Sequence, residues 1–193
     1  MIITKTPYRI SFFGGGTDYP DWYKKHGGQV LSTTIDKYLY ISCRYLPPFF
    51  KHKLRLVYSM IEECQDFSEI DHPSAREVLK YLNLKDQLEI HYDGDLPGKS
   101  GTGSSSSFTV GLLNALYAYK GERLEPRRLA EEAINIEQNI IGETVGSQDQ
   151  IAAAFGGFNH IKFEQNSFEV IPIILNNERL DVLQSRVMLF FTG

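Results

Sequence analysis

The sequence predicts an α+β fold, one domain over residues 1–193, and three observations carry that prediction. Strand-like segments follow one another early in the chain, without the strict β-α-β alternation of a doubly wound sheet. The stretch Ser104 to Tyr119 is apolar almost all round, with Phe108, Val110, Leu112, Leu113, Leu116 and Tyr117, as a helix buried in a core is. Two further strand-like runs, Phe158–Phe163 and Phe168–Ile174, then return after the Gly156-Gly157 break.

Taken in order, Arg9 to Phe13 is a short β-type run that stops at Gly14-Gly15-Gly16. Tyr19, Trp22 and Tyr23 follow in a loop with a short helix. Gln29 to Tyr45 is rich in β-formers (Val30, Leu31, Ile35, Tyr38, Leu39, Tyr40, Ile41), enough for two strands. Leu54 to Ser59 alternates, with Leu54, Leu56 and Tyr58 on one face. Pro73 to Leu82 reads as a helix with proline in its first turn. Gln87 to Tyr92 sets Leu88, Ile90 and Tyr92 against Glu89 and His91, a strand that feeds Asp93-Gly94. After the buried helix, Pro126 opens a second one whose stripe is Leu129, Ala133, Ile136 and Ile140. The apolar run Val187 to Phe191 predicts a last buried strand. With no partner or cap following it, the chain is expected to be part of something longer.

Composition excludes several classes. Hydrophobic residues make up 42% and charged residues 23%, as in an ordinary globular protein. The net charge of −4 provides no basic face for nucleic acid, so an anionic ligand must be held by local groups. Cys43 and Cys64 form no metal or disulfide pattern, and a reducing cytoplasm fits them. No apolar run has the length of a membrane span, and the first residues lack a signal-peptide layout. His26, His52, His72, His91 and His160 show no metal spacing.

The strongest local pattern is Leu96-Pro97-Gly98-Lys99-Ser100-Gly101-Thr102-Gly103-Ser104-Ser105-Ser106-Ser107, between a strand and the buried helix. Glycines let backbone N–H groups converge on an anion. The helix that follows offers its free N–H groups and positive dipole end. Serine hydroxyls can bond phosphate oxygens or a magnesium ion, and Lys99 can neutralise charge. A flexible connector shares this composition, but strand and helix abut the loop directly. Two common phosphate motifs each miss by one position. For GxxxxGK[ST], Gly94 to Gly98 encloses only Asp95, Leu96 and Pro97. For GxGxxG, Gly101-Thr102-Gly103 starts the pattern and Ser106 stands where the last glycine belongs.

The pattern that fits is P-x-x-x-G-[LT]-G-S-S-S, from Pro97 to Ser106. It resembles the second signature of the GHMP kinases (galacto-, homoserine, mevalonate and phosphomevalonate kinases), usually P-x-x-x-G-L-G-S-S-A. The departures, Thr102 and Ser106, remove no phosphate or metal contact. Arg9-Ile10-Ser11-Phe12-Phe13-Gly14-Gly15-Gly16-Thr17-Asp18-Tyr19 resembles the first signature, R-[VI]-x-[FL]-x-G-E-H-T-D-Y. Gly15-Gly16 replaces the usual Glu-His, which is similar to the heptose-phosphate kinase branch. On its own, Asp18 would be read as a helix N-cap. The resemblance implies instead that Gly15, Gly16, Thr17 and Asp18 bind substrate, Asp18 through sugar hydroxyls.

The resemblance also implies a ribosomal-protein-S5-like ATP-binding domain, with a second domain beyond Gly193, and a magnesium ion held by a serine and a glutamate. Those roles fall on Ser105 and Glu137, with Glu143 as the other candidate. A later Asp in an S-G-x-D context falls on Asp149, within Gly146-Ser147-Gln148-Asp149-Gln150, as the base. The glutamate-to-aspartate spacing is one residue longer than in mevalonate kinases. Arg9 stands beside the base. Phosphoryl transfer asks for positioning and charge neutralisation, and magnesium takes few protein oxygens plus phosphates. The implied reaction is transfer from ATP to a sugar hydroxyl, with heptose 7-phosphate at C1 foremost. A fucose- or galactose-type kinase and a non-catalytic sugar or nucleotide sensor are the alternatives. Lys24, Lys25, Arg44, Lys51, Lys53 and Arg55 are equivalent candidates to hold a substrate phosphate.

Overall fold

A computed structural model describes residues 1–85, 87–98 and 100–190. Its elements are β1 (Ile2–Phe13), α1 (Pro20–His26), β2 (Gly28–Tyr45), β3 (Leu54–Val57), β4 (Ile61–Cys64), α2 (Pro73–Tyr81), β5 (Leu88–Gly94), α3 (Ser104–Tyr119), α4 (Pro126–Ile134), α5 (Gln148–Phe155), β6 (Phe158–Phe163), β7 (Phe168–Pro172) and α6 (Asn177–Ser185). The α+β prediction holds: one mixed sheet in the order β4-β3-β5-β2-β6-β7, with β1 paired to β2.

β2 is the spine. The segment expected to give two strands is one, and its pairing explains the ambiguity. Residues 39–45 pair with β5 and residues 28–33 with β6, while β1 runs along the opposite edge. β1 itself is longer than the predicted Arg9–Phe13. Thr4, Thr6 and Tyr8 are buried at alternate positions, and the register shifts between Pro7 and Arg9. That irregularity accommodates a residue with no N–H to donate to the ladder. The chain therefore presents Arg9 just after a bulge.

Helices cover one face. α3 contacts β1, β2, α2, α4 and α5, and Phe108, Leu112, Leu113, Ala115 and Leu116 are at most 3% exposed. Close approach to β1 depends on Gly111. A Cβ there would stand 2.7 Å from Thr6 Oγ1, and Thr4 Oγ1 donates to Gly111 O at 3.0 Å.

Two further expectations need correction. The stripe Leu129, Ala133, Ile136 and Ile140 does not persist, because α4 passes into a π-helix over Asn135–Ile141. The wider i→i+5 turn rotates the chain, so Ile140 is 41% exposed while Ile136 and Glu137 are fully buried. The predicted last strand is absent: residues 187–190 have no regular structure, Met188 and Phe190 are exposed, and Phe191 lies outside the described residues. Finally, β4, α5 and α6 were not anticipated. α6 buries none of its residues, so no core pattern marks it. Among the described residues no helix is long and apolar enough to cross a membrane, and both cysteines are free and buried.

The Gly111 contact is testable. Gly111→Leu is expected to destabilise the fold by about 1–3 kcal/mol through overpacking against Thr6, read as a lower urea midpoint with an unchanged slope.

Candidate active site

Arg9 ties three segments together. Its N–H donates to Thr102 O at 3.0 Å, which docks the glycine–serine turn on β1. Its guanidinium donates through Nη1 to Gly101 O at 2.7 Å. Nε and Nη2 donate to the two oxygens of Asp149 at 2.7 and 2.9 Å. This parallel fork is the arrangement in which arginine holds a carboxylate most firmly. Asp149 lies in the first turn of α5, where the helix dipole favours a negative charge. Burial pushes its carboxyl above the usual carboxylate range; Arg9 opposes that shift and the charge of Asp18 adds to it.

Gly103 lets the turn close over this pair. Its φ is +78°, and a Cβ on it would stand 3.2 Å from Asp149 Oδ2 and 3.4 Å from Arg9 Cγ. Glycine meets both demands, a left-handed backbone and direct contact with a carboxylate. Gly103 is also the N-cap of α3 and supplies no side-chain cap, so the first-turn N–H groups have no partner within the helix. Asp95 pins the start of the loop, its N–H donating to Tyr38 O and its Oδ2 accepting from Tyr38 N–H. Ser100 and Thr102 hydroxyls are 2.7 Å apart. Pro97, Gly98, Ser100 and Gly101 are exposed, Ser104 is half-buried, and Lys99 lies outside the described residues.

The first glycine turn meets the second across a depression of about 480 Å³, lined by residues that include Arg9, Phe12, Gly15, Gly101, Thr102 and Gln148. Gly15 and Gly16 are exposed there. Thr17 is occupied in the turn itself, its hydroxyl donating to Gly14 O and accepting from Gln29 N–H. Asp18 does not cap α1. It is 1% exposed, Oδ1 accepts from Gly16 N–H at 2.9 Å, and Oδ2 accepts from Gln148 N–H at 3.3 Å. A Cβ on Gly146 would lie 1.9 Å from that Oδ2. Asp18 thus fastens the first turn to the start of α5, one residue before Asp149.

Against this geometry, residues 71–157 match the family model described as the GHMP kinases N-terminal domain. The D-glycero-alpha-D-manno-heptose 7-phosphate kinase of Campylobacter jejuni is 30% identical over 207 aligned residues, covering all of this chain and 60% of that protein. A solved D-glycero-D-manno-heptose 1-phosphate kinase from Bacteriodes thetaiotaomicron superimposes with a TM-score of 0.85 at 26% identity, over 96% of this chain and 64% of the other. Residues 71–157 carry a GHMP kinase N-terminal domain. A galactokinase of Pyrococcus furiosus is 28% identical and is spanned to 53%. The chain therefore covers little more than half of the curated relatives it matches.

In this GHMP domain the second carboxylate is Glu137, fully buried on the π-helical segment. The hydroxyl that meets it belongs to Ser106, donating to Oε2 at 2.9 Å, while Ser105 is exposed. Gln150 Nε2 donates to the same oxygen, and Glu137 Oε1 has no hydrogen-bond partner among the described residues. Burial pushes the Glu137 carboxyl up, against the lowering effect of the Thr109 hydroxyl and the hydrogen bonds from Gln150 and Ser106. Glu143 sits behind it, its N–H donating to Glu137 O at 2.9 Å. The longer Glu137-to-Asp149 spacing is met by the π-helix, which fits more chain into each turn than an α-helix does.

The sequence pattern did not mark Gln148, Gln150 and Gly146, or the contact between Ser106 and Glu137. Two glutamines flanking Asp149 were the available signal. Asp18→Ala leaves the Gln148 N–H without its acceptor and is expected to cost about 1–3 kcal/mol in denaturant titrations. Asp18→Asn, which keeps an acceptor, is expected to cost less.

Proposed function

We propose that the protein transfers the γ-phosphoryl group of ATP to a hydroxyl of a sugar or sugar phosphate. The observation that carries this reading is the Arg9–Asp149 fork lying against Gly103, at the N-terminus of α3. A base and a phosphate-binding helix end are therefore in contact. The segment from Pro97 to Ser106 supplies backbone N–H groups and hydroxyls to the triphosphate, as helix N-termini do, and Lys99 adds a positive charge. Asp149 accepts the proton of the acceptor hydroxyl. The acceptor oxygen bonds to the γ-phosphorus, the bond to the β–γ bridging oxygen breaks, and ADP leaves with that electron pair. Arg9 keeps Asp149 ionised and offsets charge on the transferring group.

The residues present fit a magnesium ion. Glu137 carries a buried carboxylate oxygen without a partner among the described residues, beside the serines of α3. No cluster of three or more His, Cys, Asp or Glu arranged for a metal occurs among the described residues; magnesium takes one or two carboxylates with phosphates and water. Glu137 and Ser105 would hold it, and when bound it neutralises phosphate charge.

The foremost acceptor in this reading is D-glycero-D-manno-heptose 7-phosphate, phosphorylated at C1. Support comes from Gly15-Gly16 in the first signature and from two relatives named for heptose phosphates. Arg44 and Arg55 recede as holders of its phosphate. Both pair with Glu89, five residues before Gly94 and so roughly 16 Å up the strand from the turn. A coupled assay of the full-length protein over free and phosphorylated sugars tests the acceptor. Highest kcat/KM with heptose 7-phosphate is expected; turnover confined to unphosphorylated sugars such as galactose contradicts it.

Two variants test the assigned roles. Arg9→Met removes the group that lowers the Asp149 pKa, so the acid limb of kcat/KM against pH is expected to move to higher pH. A limb that stays in place or moves down would remove Arg9 from that role. Glu137→Gln is expected to leave the melting temperature unchanged or higher, because a buried charge is lost, while transfer falls about 100-fold or more and half-saturation by magnesium rises.

A further inference from the structure

We infer that Gln148 reads a hydroxyl of the sugar acceptor and so helps select which sugar is used, an inference that rests on the sugar-kinase reading above. Gln148 opens α5, and its own N–H is held by Asp18 at 3.3 Å. The backbone is thereby fixed without help from the side chain. That side chain lines the depression shared by Arg9, Gly15, Gly101 and Thr102. The residue is 8% exposed, and its Oε1 is buried with no hydrogen-bond partner among the described residues. Its Nε2 lies 4.0 Å from the place a Cβ on Gly15 would occupy, so the amide stands beside the first glycine turn.

An amide that is nine-tenths buried and unpaired at its oxygen is a loss to folding unless something pairs with it. The chemistry of the missing partner follows from the amide. One end donates and the other accepts, and a half-turn exchanges them. A sugar hydroxyl both donates and accepts, and so matches either orientation. A phosphate only accepts, and would leave the amide oxygen facing negative charge. The neighbour of Gln148 is Asp149, so the hydroxyl it reads lies close to the one that reacts. Gln150 differs: its Nε2 is already committed to Glu137, within the carboxylate cluster.

The test uses the full-length protein and two variants, Gln148→Met and Gln148→Leu, with the best acceptor of the panel and its single-deoxy analogues. The acceptor KM is expected to rise about tenfold, the loss of one hydrogen bond, with the KM for ATP unchanged. One deoxy analogue that the parent disfavours by a similar factor should suffer no such penalty in the variants. Melting temperatures should stay level or rise, because the deleted oxygen had no partner. Equal deoxy penalties in parent and variants overturn the inference, as does a lowered melting temperature with an unchanged acceptor KM. If the parent phosphorylates no sugar, calorimetry with heptose 7-phosphate decides. Binding by the parent that is lost in Gln148→Met sustains Gln148 as the reader while the kinase reading falls. Equal binding, or none by either protein, overturns both.

Discussion

One arginine holds the site together. Three contacts of the Arg9 guanidinium, two to Asp149 and one to Gly101 O, join the start of the chain to a central turn and a late helix. A half-buried charge pair of this kind is unforgiving. Removing either partner strands the other without its counter-charge. The placement of β1 along β2, the bulge after Pro7 and the fit of Gly111 against Thr6 all set where that guanidinium stands. Gly103 then decides how near the turn can come, and Asp18 decides where α5 begins. The scaffold is built to bring three distant segments to one point.

What the scaffold holds there is poor for folding. Asp149 and Glu137 both have carboxyls raised by burial. The oxygens Glu137 Oε1, Gln148 Oε1 and Gln150 Oε1 are buried without partners among the described residues. The buried Glu132, by contrast, has both oxygens bonded, by Tyr117 and Arg128. Other buried side-chain atoms without a hydrogen-bond partner among the described residues, such as Tyr8 Oη and Ser32 Oγ, lie away from this cluster. Those on Glu137, Gln148 and Gln150 stand where a ligand or metal would meet them, an exchange of stability for function.

Local chemistry made the frame legible. α3 was bounded at Ser104 and Tyr119 because an all-apolar run between a glycine turn and a polar segment admits little else. Arg9, Gly101, Gly103 and Asp149 were named from motifs, and the structure brings them into contact. The misses have a common physical cause, since they depend on tertiary placement. Glu137 reaches the interior through a π-helix, which a search for period 3.6 misreads as a continuing stripe ending at Ile140. Whether Ser105 or Ser106 faces that carboxylate is a matter of about one-third of a helical turn. Asp18 looked like a local cap, yet its carboxylate accepts from Gly16 in its own turn and from Gln148 at the start of α5. Gln148 carries no signal by itself; its meaning comes from the depression it lines.

The most direct measurement is a crystal structure of the full-length protein with a non-hydrolysable ATP analogue, magnesium and heptose 7-phosphate. The triphosphate is expected on the N–H groups of the segment from Gly101 to Ser106, with Asp149 in hydrogen-bond reach of the acceptor hydroxyl. A triphosphate bound away from that turn, or an acceptor hydroxyl beyond the reach of Asp149, would contradict this arrangement.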